Sequence, residues 1–147
     1  MNEVLWIRSH VRQVLQDIWD VGRIDVDGDG DVPFRCGTAA CWVTVLESDP
    51  IMVRVFAHAV HGVRASAKLY RELNDIQARS LSAHIEYGRG VVCVSQTISP
   101  IGLTAPVLRQ ALDAVGGTAA EIGGLLAAMF DGDTPFAHPV DVDEDAA

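Results

Sequence analysis

The sequence predicts an α+β fold of two layers, an antiparallel sheet with helices packed on one face, in the order α-β-β-α-β-β-α. Three observations carry this. Two pairs of strand-like runs are each joined by only a few turn-forming residues, too short a link for a parallel crossover. Other stretches, the last two together forming a helical end, space their apolar residues at helical steps. One side of the first hairpin is small and wholly apolar while the other mixes rings with charge, which is the pattern of a sheet covered on one side.

The first helix spans residues 2 to 19. Val4, Ile7, Val11, Val14, Leu15 and Ile18 recur at three- and four-residue steps, behind Asn2 as N-cap and Glu3 in the first turn. Trp6 and Trp19 lie beside that stripe and read as flank packing in preference to partner contacts. From Val21 to Asp31 the string VGRIDVDGDGD replaces the periodicity with residues that suit turns, so a loop is expected. Ala39–Leu46 and Met52–Val60 then form a hairpin around Glu47, Ser48, Asp49 and Pro50. Ser66 caps a middle helix carrying Leu69, Tyr70, Leu73 and Ile76. Leu81–Tyr87 and Val91–Ile98, joined by Gly88, Arg89 and Gly90, form a second hairpin. Thr104 opens a further helix that Gly116 and Gly117 are expected to break, and Thr118 with Glu121 forms a capping box for a last one through Ile122, Leu125, Leu126 and Met129. Residues 1–130 are thus expected to form one domain, with 131–147 an acidic, flexible tail.

With 147 residues the chain is long enough to bury roughly 70% of its unfolded surface without staples. Hydrophobic residues at 49% and charged residues at 21% fit a globular chain and argue against disorder. The formal net charge of −9 lacks the basic footprint that nucleic acid needs. Much of that charge sits in two runs, Asp25, Asp27, Asp29 and Asp31 near the front and Asp141, Asp143, Glu144 and Asp145 at the end, leaving the remainder nearly neutral. No uninterrupted apolar run approaches the roughly 18 residues of a membrane span, and the basic-then-apolar order of a signal peptide is missing. Cys36, Cys41 and Cys93 are odd in number and form no CxxC, which suits a reducing compartment. A cytoplasmic protein with no nucleic-acid or membrane partner is expected.

Alternation sorts the first hairpin into two faces. Ala39, Cys41, Val43 and Val45 share one side with Val53, Val55, Ala57 and Ala59, and this apolar side is assigned to the helix-packed core. The other side carries Ala40, Trp42, Thr44 and Leu46, then Met52, Arg54, Phe56, His58 and Val60; the second hairpin adds His84 and Glu86, with Cys93, Ser95 and Thr97. Large rings supply buried area and an arginine sets orientation, so Trp42, Arg54, Phe56 and His58 are the candidate protein-binding residues.

Other constellations are weaker. Asp25, Asp27, Asp29, Gly30 and Asp31 match the first half of a calcium loop, with Val32 where an apolar residue is usual. The match then fails, with Pro33 at the ninth place and Cys36 where a bidentate Glu belongs. The four aspartates are therefore a candidate weak calcium site, against the simpler reading of a solvated turn. His58 and His61 are spaced HxxH, but strand alternation points them apart and no further zinc ligands flank them. No GxSxG elbow, redox cysteine pair or P-loop lysine occurs, and GGTAAEIGG follows a helix, so the chain reads as no enzyme and as carrying no resident cofactor.

The DVDGDGD loop, followed by PFRCGTAACWVTVLESDPIMVRVFAHAVHGVRAS, LYRELNDIQARS and VVCVSQTISP, resembles actinobacterial proteins of the YbjN family over about residues 1–130. Those proteins are similar in fold to class I type III secretion chaperones. The resemblance implies a small α+β domain that dimerises and holds an extended client segment along apolar patches, with no chemistry of its own. The function expected is that of a non-enzymatic, chaperone-like module binding an extended peptide of a partner protein, as a homodimer. The second reading is a regulatory domain that responds to a ligand or a divalent cation through the acidic loop.

Overall fold

The computed structural model describes residues 2–139. Helix α1 runs over Glu3–Trp19, strands β1, β2 and β3 over Val32–Cys36, Ala39–Leu46 and Met52–Val60, and helix α2 over Ala67–Arg79. Strands β4 and β5 follow at His84–Gly88 and Val91–Ile98, and helix α3 closes the series at Ala105–Phe130. Two of the expected caps are made: the Asn2 carboxamide accepts the Val4 amide at 3.0 Å, and the Ser66 hydroxyl accepts that of Leu69 at 3.0 Å. Each ties down an amide that the first helical turn cannot pair internally.

All five strands pair antiparallel in the order β1-β2-β3-β5-β4. The β2–β3 register sets Trp42 opposite Phe56, Ala40 opposite His58 and Thr44 opposite Arg54. Ala39, Cys41, Val43, Val53, Val55, Ala57, Val92 and Val94 are buried beneath α1 and α3, with Ile7, Leu15, Leu108 and Leu126 from the helices. Gln77 fastens α2 to β4, accepting the Ile85 amide and donating to the Ala83 carbonyl.

The α+β class and the one-sided helical layer stand, and the element order gains a strand. Val32–Cys36, left without an element between the expected loop and the first hairpin, forms the edge strand β1 against β2, with Gly37 and Thr38 as the link. Pro33 and the short length mask it in the sequence; an edge tolerates proline because the missing donor faces no neighbour. The helix break at Gly116 and Gly117 is also corrected: α3 is one helix of 26 residues. Gly116 and Gly123 face the sheet, where a Cβ at Gly116 would lie 3.0 Å from the Cys36 Cβ and one at Gly123 only 2.6 Å from the Ala59 carbonyl oxygen. Close packing selects glycine there, so the capping box at Thr118 and Glu121 starts nothing. On length and composition α3 is apolar enough to cross a bilayer, but its apolar stripe of Leu108, Leu112, Val115, Ile122 and Leu126 is buried in the core.

The boundary expected at Asp131 is not where packing ends. His61 and Asp133 exchange backbone hydrogen bonds at 2.8 and 2.9 Å, and the Phe136 amide donates to the Thr38 carbonyl. Arg35 donates to the His138 carbonyl at 3.1 Å, and its guanidinium lies 3.6 Å from the Phe136 ring centre. The rest of the expected tail, 140–147, lies outside the described residues.

Candidate functional site

Strand alternation delivers Trp42, Arg54, Phe56 and His58 to the sheet face opposite the helices, and cross-strand pairing brings them together. The Trp42 and Phe56 rings stack at 5.1 Å with an interplanar angle of 18°. His58 meets Trp42 edge-on at 4.9 Å and lies 6.3 Å from Phe56. All three rings are half-buried, neither sealed inside the protomer nor fully exposed, while Arg54 is exposed. Arg54 donates through Nε to the Thr97 hydroxyl at 3.1 Å, which fixes its side chain across β3 and β5 beside the rings. The result is an aromatic platform with a positioned cation at one end.

A β-bulge between His58 and Val60 revises the far end of this face. The extra residue turns Val60, expected on the open side, into the core, where it is fully buried together with Ala59. It also overturns the expectation that His58 and His61 point apart: their ring centroids lie 5.2 Å from each other. Burial, and then the neighbouring His61, hold the His58 imidazole below its ordinary value of 6.5. The sequence signals neither the bulge nor the pair, because alternation assumes an unbroken register. Among the described residues no third metal-ligating group gathers with the two histidines.

Across the face, His84 and Glu86 form an exposed pair at 2.9 Å, and Cys93 lies opposite His58 and Glu86. Burial, with Glu86 second, pushes the Cys93 thiol up. Cys41, on the core side, is pushed up to about 12 by burial and by Cys36, and is a packing thiol at neutral pH.

The acidic loop brings three of its four candidates together. One carboxylate oxygen from each of Asp27, Asp29 and Asp31 lies within 4.8 Å of the others, whereas Asp25 turns to Arg23 at 3.2 Å. Asp27 Oδ1 accepts the amides of Asp29 at 2.9 Å and Asp31 at 3.0 Å, and the Asp27 amide donates to the Asp31 carbonyl. This turn therefore has a structural occupation for its central carboxylate. The position where a calcium loop places its bidentate Glu is Cys36, inside β1, so the donor set of such a loop is incomplete.

With fold and face in place, comparison with known proteins is decisive at the level of family. The family model described as TY-Chap1, T3SS (YopN, CesT) and YbjN peptide-binding chaperone 1, matches residues 6–138. The chain belongs to that family. The TY-Chap1 match includes most of α1, all five strands and the segment beyond Asp131 that pairs with His61. A chain of the crystal structure of the ExsC-ExsE complex is similar with a TM-score of 0.65 at 15% identity, over 86% of this chain and 97% of that one. At that identity the likeness supports the TY-Chap1 fold and no more. No curated protein matches in sequence.

Proposed function

We propose that the chain is a non-enzymatic, chaperone-like module that holds an extended segment of a partner protein along the open sheet face, working as a cytoplasmic homodimer. The observation that carries the reading is the stacked Trp42–Phe56 pair, half-buried on the face that the helices leave uncovered. An extended client sets alternate side chains on one side, so its apolar residues seat on the rings while Arg54 orients its polar atoms. Membership in a peptide-binding chaperone family supports the client class. The solved structure of similar fold is itself a complex, of ExsC with ExsE.

The test begins with a client captured in the native host and mapped to a synthetic segment. Titration calorimetry of that segment against the Trp42→Ala/Phe56→Ala double variant is expected to weaken binding about thirtyfold, or ~2 kcal/mol. Circular dichroism and melting should show the variant folded. Undiminished affinity in a folded double variant removes the face from the mechanism.

A further inference from the structure

A second concave surface lies along the free edge of β1. A cleft of about 680 Å³ is lined by Trp19, Ile24, Phe34, Cys36 and Leu112, and it reaches round Pro33 to Trp42 on the open face. Its charge runs against that of the whole chain. Arg23, Arg35 and Arg109 line it, with Asp113 the one carboxylate among the lining residues, although the formal net charge is −9. Arg23 and Arg109 are exposed. Arg23 is held at 3.2 Å by the exposed Asp25, and Arg109 reaches only the Ile18 carbonyl, at 3.5 Å. Arg35 has a buried Nε without a partner among the described residues.

The chain already samples the chemistry this cleft accepts. Phe136, which also lines it, lies under the Arg35 guanidinium at 3.6 Å, and the following backbone offers the His138 carbonyl to the same arginine. An aromatic ring next to an acceptor for guanidinium is the pattern of an apolar side chain flanked by a carboxylate, with a carbonyl in the carboxylate's place. β1 is moreover the outermost strand of the sheet, so a segment lying in the cleft runs beside an unpaired backbone edge.

We propose that the β1-edge cleft selects acidic client segments, in which aromatic or aliphatic side chains alternate with carboxylates. This rests on the peptide-binding reading above and names the class of peptide. The half-buried Arg35 is partly shielded from water, so a carboxylate gains more beside it than at an open surface, while the exposed Arg23 and Arg109 add guanidinium donors at the margin.

The test uses two labelled peptides of about twelve residues, with identical Phe and Val positions alternating with Asp in one and Lys in the other, read by fluorescence anisotropy against the full chain. The net charge of the protein favours the Lys peptide. The cleft favours the Asp peptide, and a preference for it of about tenfold is expected from one or two charge-assisted contacts. Arg23→Gln and Arg109→Gln, at exposed positions, should remove that preference and leave the melting temperature unchanged. Equal or tighter binding of the Lys peptide overturns the proposal, as does an Asp preference that survives both arginine variants. A solution mass that halves in the arginine variants assigns the cleft to a second copy of the chain and also overturns it. Should the Trp42→Ala/Phe56→Ala variant lose both peptides equally while the arginine variants change nothing, the peptide-binding face stands and only the acidic selectivity falls.

Discussion

His58 packs one edge of its ring on Trp42 and faces His61, so a proton on it meets both an apolar wall and a second imidazole. Its value is depressed below 6.5 in the folded chain. Between that depressed value and 6.5 the unfolded chain binds the proton and the folded chain does not, so stability falls as pH drops through this window and levels off below it. His58→Gln removes the group from the balance. Its melting temperature should therefore decline less than that of the unaltered chain between about pH 7 and about pH 5, a difference that cancels the carboxylates common to both proteins. Identical declines would mean that His58 titrates as it does in water. The cysteines run the other way: burial raises all three, so their contribution to stability is lost only above their ordinary value of 9.0.

Helix α3 sits close enough to the sheet that two of its glycines are in contact while their neighbours are free. A Cβ at Gly123 would press on the Ala59 carbonyl at 2.6 Å, whereas one at Gly124 meets nothing within 4 Å. Gly124→Ala is thus expected to stabilise by up to ~1 kcal/mol through helix propensity alone. Gly123→Ala is expected to destabilise by ~1–3 kcal/mol, because the helix must lift or the strand must yield. Urea unfolding of the two variants measures the pair, and a stabilised Gly123→Ala would mean that the helix does not approach β3 so closely. In the acidic loop, the two amides on Asp27 Oδ1 make this carboxylate the organiser of the turn. Asp27→Ala should cost ~0.5–1.5 kcal/mol, equally in calcium and in EDTA. Stabilisation by millimolar calcium in the unaltered chain, lost in Asp27→Ala, would restore the metal reading of the loop.

At the scale of the molecule, helices cover one side of the sheet and leave the rings on the other. Self-association and client binding then compete for apolar surface unless they use different faces. A homodimer that leaves the open face to clients should have twice the 15.8 kDa chain mass by light scattering, and Trp42→Ala/Phe56→Ala should leave that mass unchanged. A monomeric double variant would place the rings inside the dimer. The arginines of the β1-edge cleft belong to this scale too. They come from the loop after α1, from β1 and from α3, which are remote in sequence and adjacent only in the folded chain.

Local periodicity was enough to place α1, β2, β3, α2 and β5, and to put Trp42, Arg54, Phe56 and His58 on one face, because alternation along two paired strands is a short-range property. Tertiary contacts decided the rest. Of the two glycines that read as a helix break, Gly116 became part of the packing side of α3 because a Cβ on it would lie 3.0 Å from that of Cys36, and a proline-bearing run became β1 because an edge needs no donor there. A bulge, invisible to alternation, buried Val60 and turned His61 toward His58. Each of these outcomes depends on the energy of contacts between residues far apart in the chain, which no window of neighbouring residues contains.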